Sequence, residues 1–259
     1  MDLGLKGKTA LITGGSKGIG YAIGEMMAGE GCNIILVARN ADDLASARNR
    51  IVALYPEVEV FVHPADLSTA AAATEMAAAF PDIDILINNA GAIQAGTLEE
   101  VDEELWHRYW SLKVYGYINM TRAYYTLMKA RRRGVIINII GMAGEKLQSY
   151  YIAGSTGNAS LIAFTKSMGG ESPAYGVRIV GINPGPVLTE KLLKTLRLKA
   201  TQQFGDAERW PELVKNMPFG RSIKPVEISA TVALLASDLS GYTSGEVINI
   251  DGGALFNRS

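Results

Sequence analysis

Apolar residues fall along this chain in two alternating patterns. Short runs, apolar at nearly every position and rich in β-branched residues, lie at 9–13, 33–38, 58–62, 83–87, 135–140, 177–182 and 247–250. Such runs predict strands covered on both faces, as in a parallel sheet. Between them lie helix-length stretches at 19–30, 42–54, 69–80, 103–132 and 155–172. The alternation predicts an α/β chain with a doubly wound parallel sheet of about seven strands, helices on both faces and right-handed crossovers. One segment breaks the rhythm. At about 188–220, Lys191, Lys194 and Arg197 recur every third residue while Leu192, Leu193 and Leu196 fall between them. An amphipathic insertion after a strand's carboxyl end is expected to cover the ligand crevice of such a fold.

The 259 residues fit one large domain, read as 1–259 without a linker or internal repeat. Charge adds little: 25 basic against 26 acidic residues give a net charge of −1, so no field points to nucleic acid or to a membrane surface. Arg131-Arg132-Arg133 ends a predicted helix, where cations complement the helix dipole. The single cysteine, Cys32, excludes an internal disulfide and suits a reducing compartment. No apolar run is long enough to span a bilayer, and the first residues carry no signal-peptide pattern, so a cytoplasmic protein is expected. His63 and His107 stand far apart without ligands at metal-binding spacing, and no metal is expected.

The first strand runs into Thr13-Gly14-Gly-Ser16-Lys17-Gly18-Ile19-Gly20 and then into a helix. Glycines here let the backbone turn sharply and approach a pyrophosphate, and the helix start offers unpaired N–H donors to it. Strand, glycine turn and helix together are the context that this motif needs. The second strand ends at Arg39, where an NAD site usually places an acid against the ribose 2′-hydroxyl. Arg39 and Lys17 suit a 2′-phosphate instead, which points to NADP(H) in preference to NAD(H).

The glycine motif resembles that of the short-chain dehydrogenase/reductase superfamily. Further matches keep the family's order: Asp66-Leu67, Asn88-Asn89-Ala90-Gly91, Asn183-Pro184-Gly185-Pro-Val187-Leu-Thr189, and Asp251-Gly-Gly253. The resemblance implies a single Rossmann-type domain, with Asp66 and Leu67 at the adenine and Asn89, Ala90 and Gly91 near the ribose. It places Pro184, Gly185, Val187 and Thr189 around the nicotinamide. It also implies a small-molecule substrate and a homotetramer or homodimer.

The catalytic pattern departs from the family. Its members carry a Tyr-x3-Lys pair, a serine 13 residues before the tyrosine and an asparagine on the preceding helix. Aligned on Ala163-Phe-Thr-Lys-Ser167, this chain has Gly154, Asn158, Gly141 and Lys113 at those four places. An alternative alignment makes Tyr151 the family's tyrosine and leaves Ser155 where the lysine belongs. Tyr151, Ser155 and Asn158 would share one face of a continuous helix. Lys113, turned into a dry crevice, would have a lowered pKa and act as acid or base, or supply the charge of the missing lysine. The expectation is therefore an NADP(H)-dependent oxidoreductase with a rearranged proton donor. Tyr151 or Lys113 would be the acid, and Ser155 or Asn158 would polarise the oxygen. A non-redox lyase, hydratase or isomerase, or an inactive dinucleotide-binding protein, is the alternative.

Overall fold

The computed structural model describes residues 1–91 and 93–256. Seven parallel strands form one sheet: β1 (Thr9–Thr13), β2 (Asn33–Ala38), β3 (Val60–Pro64), β4 (Ile85–Asn88), β5 (Gly134–Ile139), β6 (Val177–Pro184) and β7 (Val247–Ile250). Their order across the sheet is β3-β2-β1-β4-β5-β6-β7. The order reverses between β1 and β4, which opens a crevice at the carboxyl ends of those strands.

Alternation along each strand divides the core in two. Ala10 and Ile12 of β1, with Ile34 and Leu36 of β2, bury on one face, whereas Leu11, Ile35 and Val37 bury on the other. Register keeps the faces in phase: Leu11 lies between Ile35 and Leu86. Burying each Val, Leu or Ile side chain of this set stabilises the fold by about 1.5–3 kcal/mol. This explains why the strands read as continuous apolar runs. β3 and β4 begin two residues later than the apolar pattern predicts. Val58 and Ile83 are buried all the same, in the approaches to their strands.

Among the described residues eight α-helices surround the sheet: α1 (Gly18–Gly29), α2 (Ala41–Leu54), α3 (Ala70–Ala79), α4 (Glu103–Trp110), α5 (Gly116–Arg131), α6 (Ile152–Glu171), α7 (Glu190–Phe204) and α8 (Pro225–Ala236). Side-chain oxygens cap four of them, with Asn40, Thr69, Asp102 and Thr189 each accepting an N–H from the first turn. The helix expected over 103–132 is divided by a π-helical turn at Ser111–Tyr115. Its extra residue rotates all that follows by about 100°, and it carries Lys113. α6 begins three residues earlier than expected, at Ile152. The 188–220 insertion is α7 followed by short helical turns at Ala207–Val214 and Pro218–Gly220. No described helix is long and apolar enough to cross a membrane.

The glycine turn packs without spare room. A Cβ on Gly20 would lie 2.3 Å from the Gly14 carbonyl oxygen and 2.6 Å from Asn89 Nδ2. Gly20→Ala should therefore destabilise the fold by about 1–3 kcal/mol, read as a lowered Tm in calorimetry. A variant as stable as the parent would mean that this contact relaxes freely.

Candidate active site

The crevice is a cavity of about 780 Å³ with two ends. At one end, Gly14 and Gly18 hold left-handed φ values of 65° and 58°, which favour glycine. α1 starts there with no side-chain cap on its first turn, so its unpaired N–H groups are available to an anion. Gly14, Lys17, Gly18 and Ile19 line this end, and Asn89, Ala90 and Gly91 form the adjoining wall. A second hollow of about 250 Å³ adjoins it, lined by Ser16, Arg39 and Leu67 among others. This cradle has the shape and donors that a dinucleotide pyrophosphate and its adenosine half require.

Three of the expected binding residues lie outside both hollows. Thr13 is buried, and its Oγ1 accepts the Asn89 and Ala90 N–H groups at 2.9 and 3.0 Å, pinning one wall to the other. Gly20 packs beneath the turn. The Asp66 carboxylate accepts the Ser68 N–H at 3.1 Å. Lys17 pairs with Asp43 at 2.8 Å, while Arg39 stands exposed at the rim of the smaller hollow.

Pro184 and Gly185 at the carboxyl end of β6, with Val187 and Thr189 beyond it, line the cavity together with Lys113, Tyr151 and Asn158. Lys113 is 8% exposed. Its Nζ donates to Ile139 O at 2.8 Å, Ile140 O at 3.1 Å and Tyr117 Oη at 3.0 Å. Tyr117 in turn donates to Ile139 O at 2.8 Å. Burial lowers the Lys113 ammonium from its ordinary value near 10.5 to about 7. In its charged form all three hydrogens point at protein oxygens. Gly91 makes room for the side chain, since a Cβ there would lie 2.5 Å from Lys113 Cδ. Tyr117 escaped the sequence reading, although its i+4 spacing from Lys113 puts the two on one helix face.

Tyr151 precedes the first turn of α6 with non-helical φ and ψ of −133° and 42°. Its backbone is fixed by pairing with Gly96. Its ring lies over Gly154: a Cβ on Gly154 would be 2.0 Å from Tyr151 Cε1 and Cζ. The aromatic ring thus occupies the root of the space that a side chain at 154 would fill. Burial raises its pKa, so the hydroxyl keeps its proton at neutral pH.

Asn158 is 5% exposed. Its amide makes no hydrogen bond among the described residues and faces the cavity. Its Nδ2 would lie 2.9 Å from a Cβ on Gly141, a residue whose φ of 140° favours glycine. The amide nitrogen therefore stands where a side chain at 141 would begin. Ser155 is not brought to the cavity. Its hydroxyl accepts the Gln148 N–H and donates to the Gln148 carbonyl, at 3.1 and 3.2 Å, bracing the loop before α6. The expected shared face fails because Tyr151 lies outside the helix. Sequence reading also missed Ile93, Ile139, Ile140 and Glu190 in the lining.

Residues 8–198 match the profile described as short chain dehydrogenase. The chain belongs to the short-chain dehydrogenase family. A D-beta-hydroxybutyrate dehydrogenase of Cupriavidus necator is 32% identical to it, over 96% of this chain and 98% of that protein. Among solved structures, L-sorbose reductase from Gluconobacter frateurii, complexed with NADPH and L-sorbose, superposes with a TM-score of 0.93. It is 32% identical and covers 99% of this short-chain dehydrogenase and 100% of the reductase. An NADPH-bound short chain oxidoreductase from Pseudomonas aeruginosa, described as containing an atypical catalytic center, gives 0.86 at 28% identity, with 97% of each chain covered. Similar solved enzymes include NAD+-bound forms as well. As a short-chain dehydrogenase, the protein is an NAD(P)-dependent oxidoreductase. Among the described residues no group of three His, Cys, Asp or Glu could hold a metal ion.

Proposed function

We propose that this enzyme interconverts a carbonyl compound and its alcohol with NADP(H), using Tyr151, Asn158 and Lys113 in place of the family's usual residues. The observation that carries the reading is that Asn158 and Tyr151, neither side chain hydrogen-bonded among the described residues, line the same cavity as the buried cation Lys113. The amide opens onto the cavity and is free to donate to a ligand oxygen.

The dinucleotide, when bound, supplies or takes up the hydride. In the reductive direction Asn158 Nδ2 donates to the carbonyl oxygen and draws charge toward it. Tyr151 Oη gives its proton to that oxygen as negative charge builds there. Lys113 holds its positive charge in the wall and favours the phenolate left behind, which regains a proton from solvent through the open mouth. Asn158 thus takes the serine's task although it occupies the lysine's place. Lys113 takes the lysine's charge from the asparagine's place. With all three ammonium hydrogens bound by protein oxygens, Lys113 is poorly placed to donate to substrate itself, which favours Tyr151 as the acid and weakens a lysine-based lyase.

Arg39 and Lys17 support NADP(H) over NAD(H), because the smaller hollow offers a 2′-phosphate the Arg39 guanidinium where an acid would otherwise hold the ribose, and its one acid, Asp43, is neutralised by Lys17. Titrating the protein with NADPH and NADH, followed by nicotinamide fluorescence, tests this directly. Tighter NADPH binding is expected, and Arg39→Ala should raise the NADPH Kd about tenfold with little change for NADH. Equal affinities in the parent protein would sink the preference. On the family's pattern we propose a homotetramer or homodimer in the cytoplasm, with the mass in solution as the test of assembly.

A further inference from the structure

The cavity holds more positive charge than the reaction above uses. Its lining includes Lys17, Lys113, Lys191 and Lys194 against one acid, Glu190, in a chain whose basic and acidic residues nearly balance. Lys17 is paired with Asp43, and the Lys113 ammonium is bound by three oxygens. Lys191 and Lys194 form no ion pair among the described residues. Of the four other cations in the 188–220 cover, Arg197 pairs with Glu208 and Arg209 with Glu212, while Lys199 and Lys215 are not in the cavity lining. α7 buries Leu196 and Ala200 and turns the i, i+3 pair Lys191 and Lys194 toward the cavity. Ile93, Ile139, Ile140 and Val187 give the same cavity an apolar lining.

We propose that the substrate carries an anionic group, a carboxylate or a phosphate, received by Lys191 and Lys194 while its carbonyl lies between Asn158 and Tyr151. This rests on the carbonyl-reducing reading above. The anionic group is assigned to the substrate and not to the dinucleotide because the dinucleotide's phosphates already have the α1 N–H groups, Lys17 and Arg39. α7 starts against the glycine turn, where Thr189 Cγ2 would lie 3.2 Å from a Cβ on Gly18. Lys194 lies about 6 Å further along its axis than Glu190. Two exposed cations at the mouth also draw a charged substrate toward it, an effect that salt weakens.

The test measures binding of matched probes to the protein with NADP+ bound, by calorimetry, and their turnover with NADPH. The probes are levulinate against methyl levulinate, and fructose 6-phosphate against fructose. At least one anion should bind about tenfold tighter than its neutral partner, and the double variant K191A/K194A should bring that ratio close to one. The two pairs distinguish carboxylate from phosphate. Equal affinity within both pairs overturns the proposal. So does a preference that persists in the double variant, or a double variant that loses NADPH affinity instead. Anion preference without hydride transfer to any probe would leave this inference standing and count against the redox reading.

Discussion

Lys113→Met should lower the reductive kcat by about 10²–10³, the range found when one preorganised electrostatic contact to developing charge is removed, with KM much less affected. Methionine keeps the bulk of the side chain against Gly91 and deletes the charge. Tyr117 still donates to Ile139 O, so the main orphan is the Ile140 carbonyl, and removing a buried charge offsets part of that cost. The pH dependence carries the sharper test. The folded value of about 7 means that the charge is present below pH 7 and lost as pH rises, so reductive kcat should fall above about 7. The variant should lack that limb. Stability moves the other way. The unfolded chain keeps this lysine protonated up to about 10.5, so from about 7 to 10.5 the unfolded state binds the additional proton and stability rises with pH. The penalty of the buried ammonium is complete below 7 and is relieved above it. Between pH 7 and 9 the parent should gain about 2–3 kcal/mol relative to Lys113→Met, read from denaturant unfolding at the two pH values. A constant difference would show that Lys113 does not titrate in this range, and the assigned role of its charge would go with it.

The sheet could be read from the chain because a strand buried on both faces has to be apolar at every position, as Ala10 to Ile12 and Ile34 to Val37 are. The glycine turn was legible for a similar reason: Gly14 and Gly18 need left-handed backbone that other residues rarely adopt. The catalytic end was legible only as a departure. Aligned positions say which residue replaces which, and they placed Asn158 at the lysine and Lys113 at the asparagine. They do not say where a side chain's polar end arrives. Asn158 Nδ2 reaches the place left by Gly141, Tyr151 folds over Gly154, and Ser155 turns to Gln148. The π turn was invisible because one additional residue inside a helix leaves the apolar count almost unchanged while re-aiming Lys113. The lysines of α7 were visible as a periodic pattern, but only the fold shows that they border the cavity.

Tyr151→Phe should reduce kcat by about 10²–10⁴, the contribution of a positioned general acid, while the fold and NADPH affinity are retained. The expectation follows from the geometry at Gly154. The phenol ring fills the space above that glycine and phenylalanine fills it equally, so packing is conserved and only the hydroxyl is lost. Asn158→Ala should act differently. It removes the donor that holds the carbonyl oxygen in both ground and transition states, so KM should rise along with a fall in kcat. The two losses should combine to less than the product of the single effects, because both residues bind one oxygen. Gly154→Ala adds a control that keeps the hydroxyl. Its methyl would collide with the Tyr151 ring at 2.0 Å and displace the phenol, so activity should fall although Tyr151 is still present. If Tyr151→Phe works at the parent's rate and Gly154→Ala is equally active, the proton does not come from this tyrosine. The proton would then come from another donor in the cavity, such as water held at Asn158.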